Sequence, residues 1–274
     1  MTSIEATSLR DASNKRPDVS IASVKMLFDN DINAGKVVFV VEGKDDVDFY
    51  ASFLQANSVC IYPDGNCAKH IVILKALNGI YGDRLLAVKD ADFDRLEGHN
   101  SPFENLLLTD THDMEGMVLS NGIPPMDGED AERCKNIDLG VLYVELEDVS
   151  FLKWYSHANS LRLDFNGISL DLSMASYLHA VLANTQKAVK VTLDEVLAFK
   201  QHNAGASKKE LCNGHDLFER IYVYARSVSK SNFAKRPFFR RLRKAYTKER
   251  FATTVLCQSI KTWEKTHRHS ILAG

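Results

Sequence analysis

The sequence predicts an α/β fold: a parallel sheet flanked by helices, followed by a mostly helical C-terminal half. Three observations carry this expectation. The apolar runs at 37–41 (VVFVV) and 85–89 (LLAVK) show no in–out alternation, which suits strands buried on both faces. They are separated by helix-length stretches, the spacing of strand–helix–strand units. Beyond the break at 122–128 (GIPPMDG), the pattern is predominantly helical.

The elements follow in order. Residues 1–20 are polar, mixed in charge, and read as a tail. A helix is expected over 20–34, where Ile21, Val24, Met26, Leu27 and Phe28 give a partly helical apolar stripe. The strand 37–41 ends in Glu42-Gly43, and a helix is expected from Lys44 to Gln55. Residues 59–62 (VCIY) form a second strand. The turn chemistry of 63–66 (PDGN) follows, with Asn66 able to cap a helix over 67–78 that Asn78-Gly79 closes. The third strand, 85–89, runs into Asp90-Ala-Asp92-Phe-Asp94. A fourth strand is expected at 105–109 and a short helix at 113–119. The sequence organisation is therefore a tail (1–20), an α/β domain (21–122) and a mainly helical domain (123–274). Helices in the latter are expected at 129–157, 173–185, 192–202, 214–228 and 237–262, with an extended piece at 161–168.

The placement of acids points to chemistry. In open α/β sheets, ligands gather outside the carboxyl ends of the strands. Here Glu42 follows the first strand, Asp90 and Asp92 the third, and Asp110 and Asp113 the fourth. Crowded carboxylates resist ionisation unless cations neutralise them. An all-oxygen donor set favours Mg²⁺ or Mn²⁺, ions suited to phosphate chemistry. Each acid also has a structural reading. Asp45 and Asp46 stand where a helix begins, which favours negative charge. Asp113 can cap the next helix, and Asp-x-Asp shares one face only if the strand continues through it.

Together, VVFVVEGKDDVDFY (37–50) and LLAVKDADFD (85–94) resemble the Toprim domain. That domain is shared by topoisomerases, primases, small recombination mediators and the overcoming-lysogenization-defect nucleases. TDTHDMEGMVLS (109–120), NGHDLF (213–218) and Trp263 look like a bacterial branch of Toprim proteins. The branch includes the effector of phage anti-restriction-induced defence systems, which works with an ABC-type ATPase. The resemblance covers 37–120. It implies Glu42 as general acid or base and metal contact, Asp90 and Asp92 as Mg²⁺ ligands, Asp46 as a second-metal ligand, and Glu115 as a further ligand. Lys89 departs from the pattern, because related sequences often carry a small or apolar residue before the first aspartate. No tyrosine nucleophile of topoisomerase type is identified.

The basic residues are unevenly distributed. Residues 226–250 hold ten cations and one acid, Glu249, in a chain of net charge −2. An anionic partner for that segment is one reading, and a solvated amphipathic helix is the other. Phe238, Phe239, Leu242 and Tyr246 read as a buried stripe. Arg240, Arg241, Arg243 and Lys244, with Lys44 and Lys89, are candidates for phosphate contacts. No apolar run approaches the ~18 residues of a membrane span, and no signal peptide is visible, so a cytoplasmic protein is expected. The five scattered cysteines suggest buried, reduced thiols rather than a disulfide framework or a zinc site. The chain has no GxxxxGK[ST] motif, so any ATP-driven control requires a partner.

These observations favour a metal-dependent endonuclease acting on DNA or RNA, tRNA included, as an antiphage effector. The alternative is a non-catalytic Toprim module that binds nucleic acid or a partner. A primase-like enzyme would want a zinc- or helicase-binding region, and none is visible.

Overall fold

The computed structural model describes residues 17–63, 68–229 and 232–273. The tail up to residue 16, the turn residues 64–66 with the Asn66 cap, and Cys67 lie outside the described residues.

The described chain is α/β. Four parallel strands, β1 (Val37–Val40), β2 (Ser58–Ile61), β3 (Leu85–Lys89) and β4 (Leu106–Leu108), form one sheet in the order β2-β1-β3-β4. Val38 pairs with both Val59 and Leu85, and Ala87 pairs with Leu106. The helices are α1 (Pro17–Asp29), α2 (Lys44–Tyr50), α3 (Ala68–Tyr81), α4 (Met114–Leu119), α5 (Gly128–Cys134), α6 (Leu139–Glu145) and α7 (Glu147–Ala158). They continue with α8 (Met174–Asn184), α9 (Leu193–His202), α10 (Lys208–Leu211), α11 (Gly214–Val228), α12 (Lys235–Lys244), α13 (Lys248–Ala252) and α14 (Val255–His267).

Two compact units interleave along the sequence. The first comprises the described residues up to Asp90, then Asn100–Asp110 and Tyr246 onwards. The second comprises Ala91–His99 and Thr111–Ala245. The units do not follow a single cut at 122–128, because the last two helices belong with the sheet.

In the first unit every residue of β1 is buried, as the unbroken apolar run requires. Alternate strand residues Val38, Val40, Leu85, Ala87 and Leu106 pack with Val24 and Phe28 of α1 and with Ile73, Leu74 and Leu77 of α3. A second set of side chains is aromatic. Phe39 meets Tyr50, and Phe49, Phe53, Tyr246 and Phe251 interlock in stacked and edge-on pairs. Helix α3 runs past Asn78-Gly79, which was expected to close it. Its last residue, Tyr81, stacks on Phe28 at 4.2 Å and donates its hydroxyl to Asp29 Oδ1 at 2.8 Å. That packing outweighs the modest helix penalty of one glycine. Helix α2 is shorter than expected and stops at Tyr50. The chain beyond it turns so that the Ala273 N–H donates to Phe53 O and the Gln55 N–H to Ile271 O.

The second unit is helical. Its core joins Phe93 to Val149, Phe151, Leu152 and Trp154 of α7, to Tyr177, Leu178 and Val181 of α8, and to Val196 of α9. The helix expected over 129–157 is three helices. Asp138 interrupts it by capping α6, its carboxylate accepting from the Gly140 N–H at 2.7 Å. The helix expected over 237–262 also divides into three, because Thr247 and Thr254 cap α13 and α14. Residues 161–168, expected as an extended piece, form no strand: Arg162 takes a left-handed φ of +54°, and Asn166-Gly167 is a turn with Gly167 at φ +69°.

The cysteines Cys60, Cys134, Cys212 and Cys257 are buried free thiols. Burial pushes the Cys134 and Cys212 thiols up to about 11. Among the described residues, no helix is long and apolar enough to cross a membrane.

Candidate functional site

The strand order fixes where a site belongs. The connection from β1 leads to β2 on one side, whereas β3 and β4 lie on the other. The order therefore reverses between β1 and β3. Strands diverging in this way leave a crevice outside their carboxyl ends, the usual ligand position in open parallel sheets.

Glu42 and Asp90 stand at that point. Val40 pairs with Ala87, so extending both strands by two or three residues carries the backbone to Glu42 and Asp90. Glu42 Oε1 accepts the backbone N–H of Asp90 at 3.1 Å. This bond ties the glutamate of one strand end to the aspartate of its neighbour. Both residues are half-buried.

Asp46 adds a third carboxylate in the same unit. It lies in the first turn of α2, and its Oδ2 accepts the Gly43 N–H at 2.9 Å. This is the helix-start placement that the sequence offered as the structural reading, with Asp46 reaching back to the residue before the helix. Gly43 suits the spot, since a Cβ there would come 3.2 Å from Asp46 Oδ2. Lys44 is exposed beside it, and Lys89 is half-buried at the end of β3.

Asp110 is structural. Its two carboxylate oxygens accept the first N–H groups of α14, from Val255 and Leu256, each at 2.7 Å. A carboxylate at a helix N-terminus satisfies groups that have no partner within the helix.

The second unit holds the remaining acids. Strand β3 ends at Lys89, so pleat alternation does not extend to Asp92. Asp92 instead adopts a left-handed turn conformation at φ +46°, which aspartate tolerates, and its N–H donates to His112 O at 2.7 Å. Glu115 Oε1 accepts from Arg243 Nη1 at 2.9 Å, with both side chains largely buried. Arg243, expected to face phosphate, is thus engaged by the glutamate expected to hold metal.

Asp113 caps α4 through Gly116 N at 2.7 Å, and its other oxygen accepts Gly214 N at 2.8 Å, at the start of α11. One buried carboxylate joins two helix starts. A Cβ on Gly214 would come within 2.2 Å of Asp113 Oδ1 and of Gly116 N. Within 213–218, Gly214 permits this close approach and Asn213 caps α11 through Asp216 N. His112 Nδ1 lies 3.3 Å from Asp113 Oδ2, but the geometry is not that of a hydrogen bond.

On α12 the apolar residues are core: Phe238, Phe239 and Leu242 are buried. Arg241 pairs with buried Asp130, which also holds Arg133. Burial alone would raise the Asp130 carboxyl, but the hydrogen bonds and charges of Arg241 and Arg133 outweigh it and hold the group below its ordinary range. Arg240 and Lys244 are exposed.

One feature near the carboxylates of the first unit has no counterpart in the sequence reading. The Tyr50 side chain is 2% exposed, and its hydroxyl has no hydrogen-bond partner among the described residues. Tyr50 follows Asp46 by one helical turn, and that spacing was the available signal.

Glu42, Asp46 and Asp90 offer hard oxygen donors. Among the described residues, no group of three or more His, Cys, Asp or Glu side chains lies together so as to hold a metal ion. Mg²⁺ does not need one, since it keeps several waters and binds through one or two carboxylates plus substrate phosphate. Glu42 and Asp90 offer two carboxylates at the ends of neighbouring strands. Compared with family models, with curated proteins and with solved structures, the chain matches none.

Proposed function

We propose that this protein is a Mg²⁺- or Mn²⁺-dependent nuclease that hydrolyses phosphodiester bonds at the crevice between β1 and β3. The observation that carries the proposal is the Glu42–Asp90 bond at the point where strand order reverses. It brings together two residues that the Toprim resemblance assigns to catalysis and metal.

The roles follow from the chemistry of each group. Asp90 and Glu42 would hold the divalent ion, whose contribution when bound is to neutralise the phosphate and lower the pKa of an attacking water. Glu42 would take a proton from that water, with the Asp90 N–H orienting its carboxylate. Asp46 keeps negative charge at the start of α2. Asp92 enters the proposal through its sequence spacing and the resemblance. Glu115 enters through the resemblance alone, against its pairing with Arg243. Exposed Lys44, Arg240 and Lys244 are offered as phosphate contacts. The antiphage setting and the ABC-type ATPase partner are part of the proposal on the strength of 109–120 and 213–218.

The test is incubation with supercoiled plasmid, single-stranded DNA and total RNA, with Mn²⁺ or with EDTA. Metal-dependent cutting by the wild type, lost in Glu42→Gln, supports the nuclease. Tight nucleic-acid binding with no cutting by either protein, both alone and after release from any co-purifying ATPase, supports a non-catalytic module instead.

A further inference from the structure

The second unit contains a cavity that the proposed phosphodiester chemistry does not use. Its volume is about 670 Å³, within the roughly 300–1,000 Å³ usual for small-molecule sites. One wall is the face of α11 that carries Asp216, Arg220 and Val223, residues spaced to lie along one side of a helix. The facing wall is the loop 165–171, and Lys153 of α7 and Tyr177 of α8 line the space between them. Every one of these residues belongs to the second unit. Arg220 pairs with Asp171 of the loop, which fastens the two walls together.

The polar groups of the lining are graded by burial. Asp171 and Lys235 are exposed at the rim. Lys153 and Asp216 form an ion pair with side chains only 19% and 11% exposed. The pair uses Asp216 Oδ2, and Oδ1 has no partner among the described residues. Asn213 Oδ1 accepts the Asp216 N–H at 3.2 Å and so fixes its backbone. Lys153 Nζ lies 5.8 Å from the centre of the Phe165 ring, and that ring stacks with Tyr177 at 6.4 Å. Tyr177 is 1% exposed, and among the described residues its hydroxyl makes no hydrogen bond. Burial, and then the charge of Asp216, push this phenol above its ordinary value and keep it a neutral donor. Buried polar groups normally have partners, so the hydroxyl and Oδ1 are hydrogen-bonding capacity that the fold leaves for an occupant of the cavity.

The ion pair has a readable pattern. Asp216 Oδ1, Asp216 Oδ2 and Lys153 Nζ present acceptor, acceptor and donor in that order. One edge of guanine carries the complement: the N2–H and N1–H donors, then the O6 acceptor. Adenine, cytosine and uracil satisfy at most two of the three positions. Phe165, Ile168 and Leu170 add apolar surface of the kind that flanks a planar base. We propose that this cavity binds guanine, with Asp216 and Lys153 reading its N2, N1 and O6 edge and Tyr177 supplying a further hydrogen bond. The base is that of a free nucleoside or nucleotide, or an unpaired guanine in a nucleic acid. The inference is independent of the roles proposed for Glu42 and Asp90.

The experiment is calorimetric titration of the full chain with guanosine, inosine, adenosine, cytidine and uridine in EDTA. Guanosine is expected to bind, and adenosine, cytidine and uridine to bind about 10-fold or more weakly. Inosine, which lacks the N2 amino group, should fall between them. Tyr177→Phe removes one oxygen and keeps the ring. Its unfolding temperature should be unchanged or raised, with guanosine affinity reduced about 2–10-fold, the usual worth of one hydrogen bond. Asp216→Asn, checked for folding by circular dichroism, should lose the preference for guanosine over adenosine. Two short cytidine oligonucleotides, one with a single central guanosine and one with adenosine there, distinguish the sources. Tighter binding of the guanosine oligonucleotide than of free guanosine assigns an unpaired base of a nucleic acid, and the reverse assigns a free nucleoside or nucleotide. Absence of guanosine binding at millimolar concentration would overturn the proposal. So would equal affinity for all the nucleosides, or guanosine affinity unaltered in Tyr177→Phe and in folded Asp216→Asn.

Discussion

Glu42 Oε1 and the backbone N–H of Asp90 are joined by a 3.1 Å hydrogen bond across the reversal in strand order. The bond needs an acceptor at position 42, whereas the proposed chemistry needs a charge there. Glu42→Gln separates the two, since its amide oxygen can still accept from Asp90. The expected outcome is a protein with wild-type far-ultraviolet circular dichroism and thermal stability but cleavage reduced by about 10²–10⁴-fold, the usual contribution of a general acid or base. A variant that cuts at the wild-type rate removes Glu42 from the mechanism.

Asp113 and Gly214 form a structural joint between α4 and α11. Asp113→Ala deletes two charge-assisted bonds to backbone N–H groups, each worth roughly 1.5–3 kcal/mol. Gly214→Ala forces a methyl group against Asp113 and the backbone of α4, an overpacking that costs about 1–3 kcal/mol. Urea unfolding of each variant, followed by circular dichroism, should show the losses. If Gly214→Ala is neutral, the close approach does not exist in solution.

Asp130 should make stability depend on acid. Its folded-state pKa lies below the ordinary value, so its stabilisation is fully present above about pH 4 and is lost as pH falls through the lower, folded-state value. Asp130→Asn should be less stable than wild type at pH 7 by about 1–3 kcal/mol. The difference should shrink between pH 4 and pH 2 in urea titrations. A pH-independent difference would assign the effect to packing rather than to the charges of Arg133 and Arg241.

The cations of α12 should divide into two groups. Arg240 and Lys244 are exposed, whereas Arg241 and Arg243 are paired with Asp130 and Glu115. The double substitution Arg240→Ala with Lys244→Ala should weaken nucleic-acid binding and lower the salt slope of log K by about 1.5, with stability unchanged. Arg241→Ala should instead reduce stability. Fluorescence anisotropy at a series of KCl concentrations decides this, and an unaltered slope in the double variant would take α12 out of the binding surface.

The parts of the fold most legible in the sequence were those where local and long-range forces agree. Strands buried on both faces leave continuous apolar runs, so β1 and β3 could be placed to within one residue. The parallel order followed from the helices between them. Helix ends were less legible. Stacking of Tyr81 on Phe28 joins segments more than fifty residues apart and carries α3 past a glycine. The caps at Asp138, Thr247 and Thr254 were visible as residue types, but similar residues elsewhere do not interrupt helices. In the candidate site, strand-end position identified Glu42 and Asp90. Sequence position could not show that Glu115 pairs with Arg243, that Asp110 and Asp113 are taken up by helix starts, or that Arg241 serves Asp130. Tyr50 went unremarked because an aromatic residue at a helix end usually signals core.

The most direct measurement is anomalous diffraction from crystals of the full chain soaked in Mn²⁺. The account predicts a peak within about 2.5 Å of carboxylate oxygens from both Glu42 and Asp90, abolished in Asp90→Asn crystals. Crystals that take up Mn²⁺ elsewhere while leaving these two carboxylates unoccupied would contradict it.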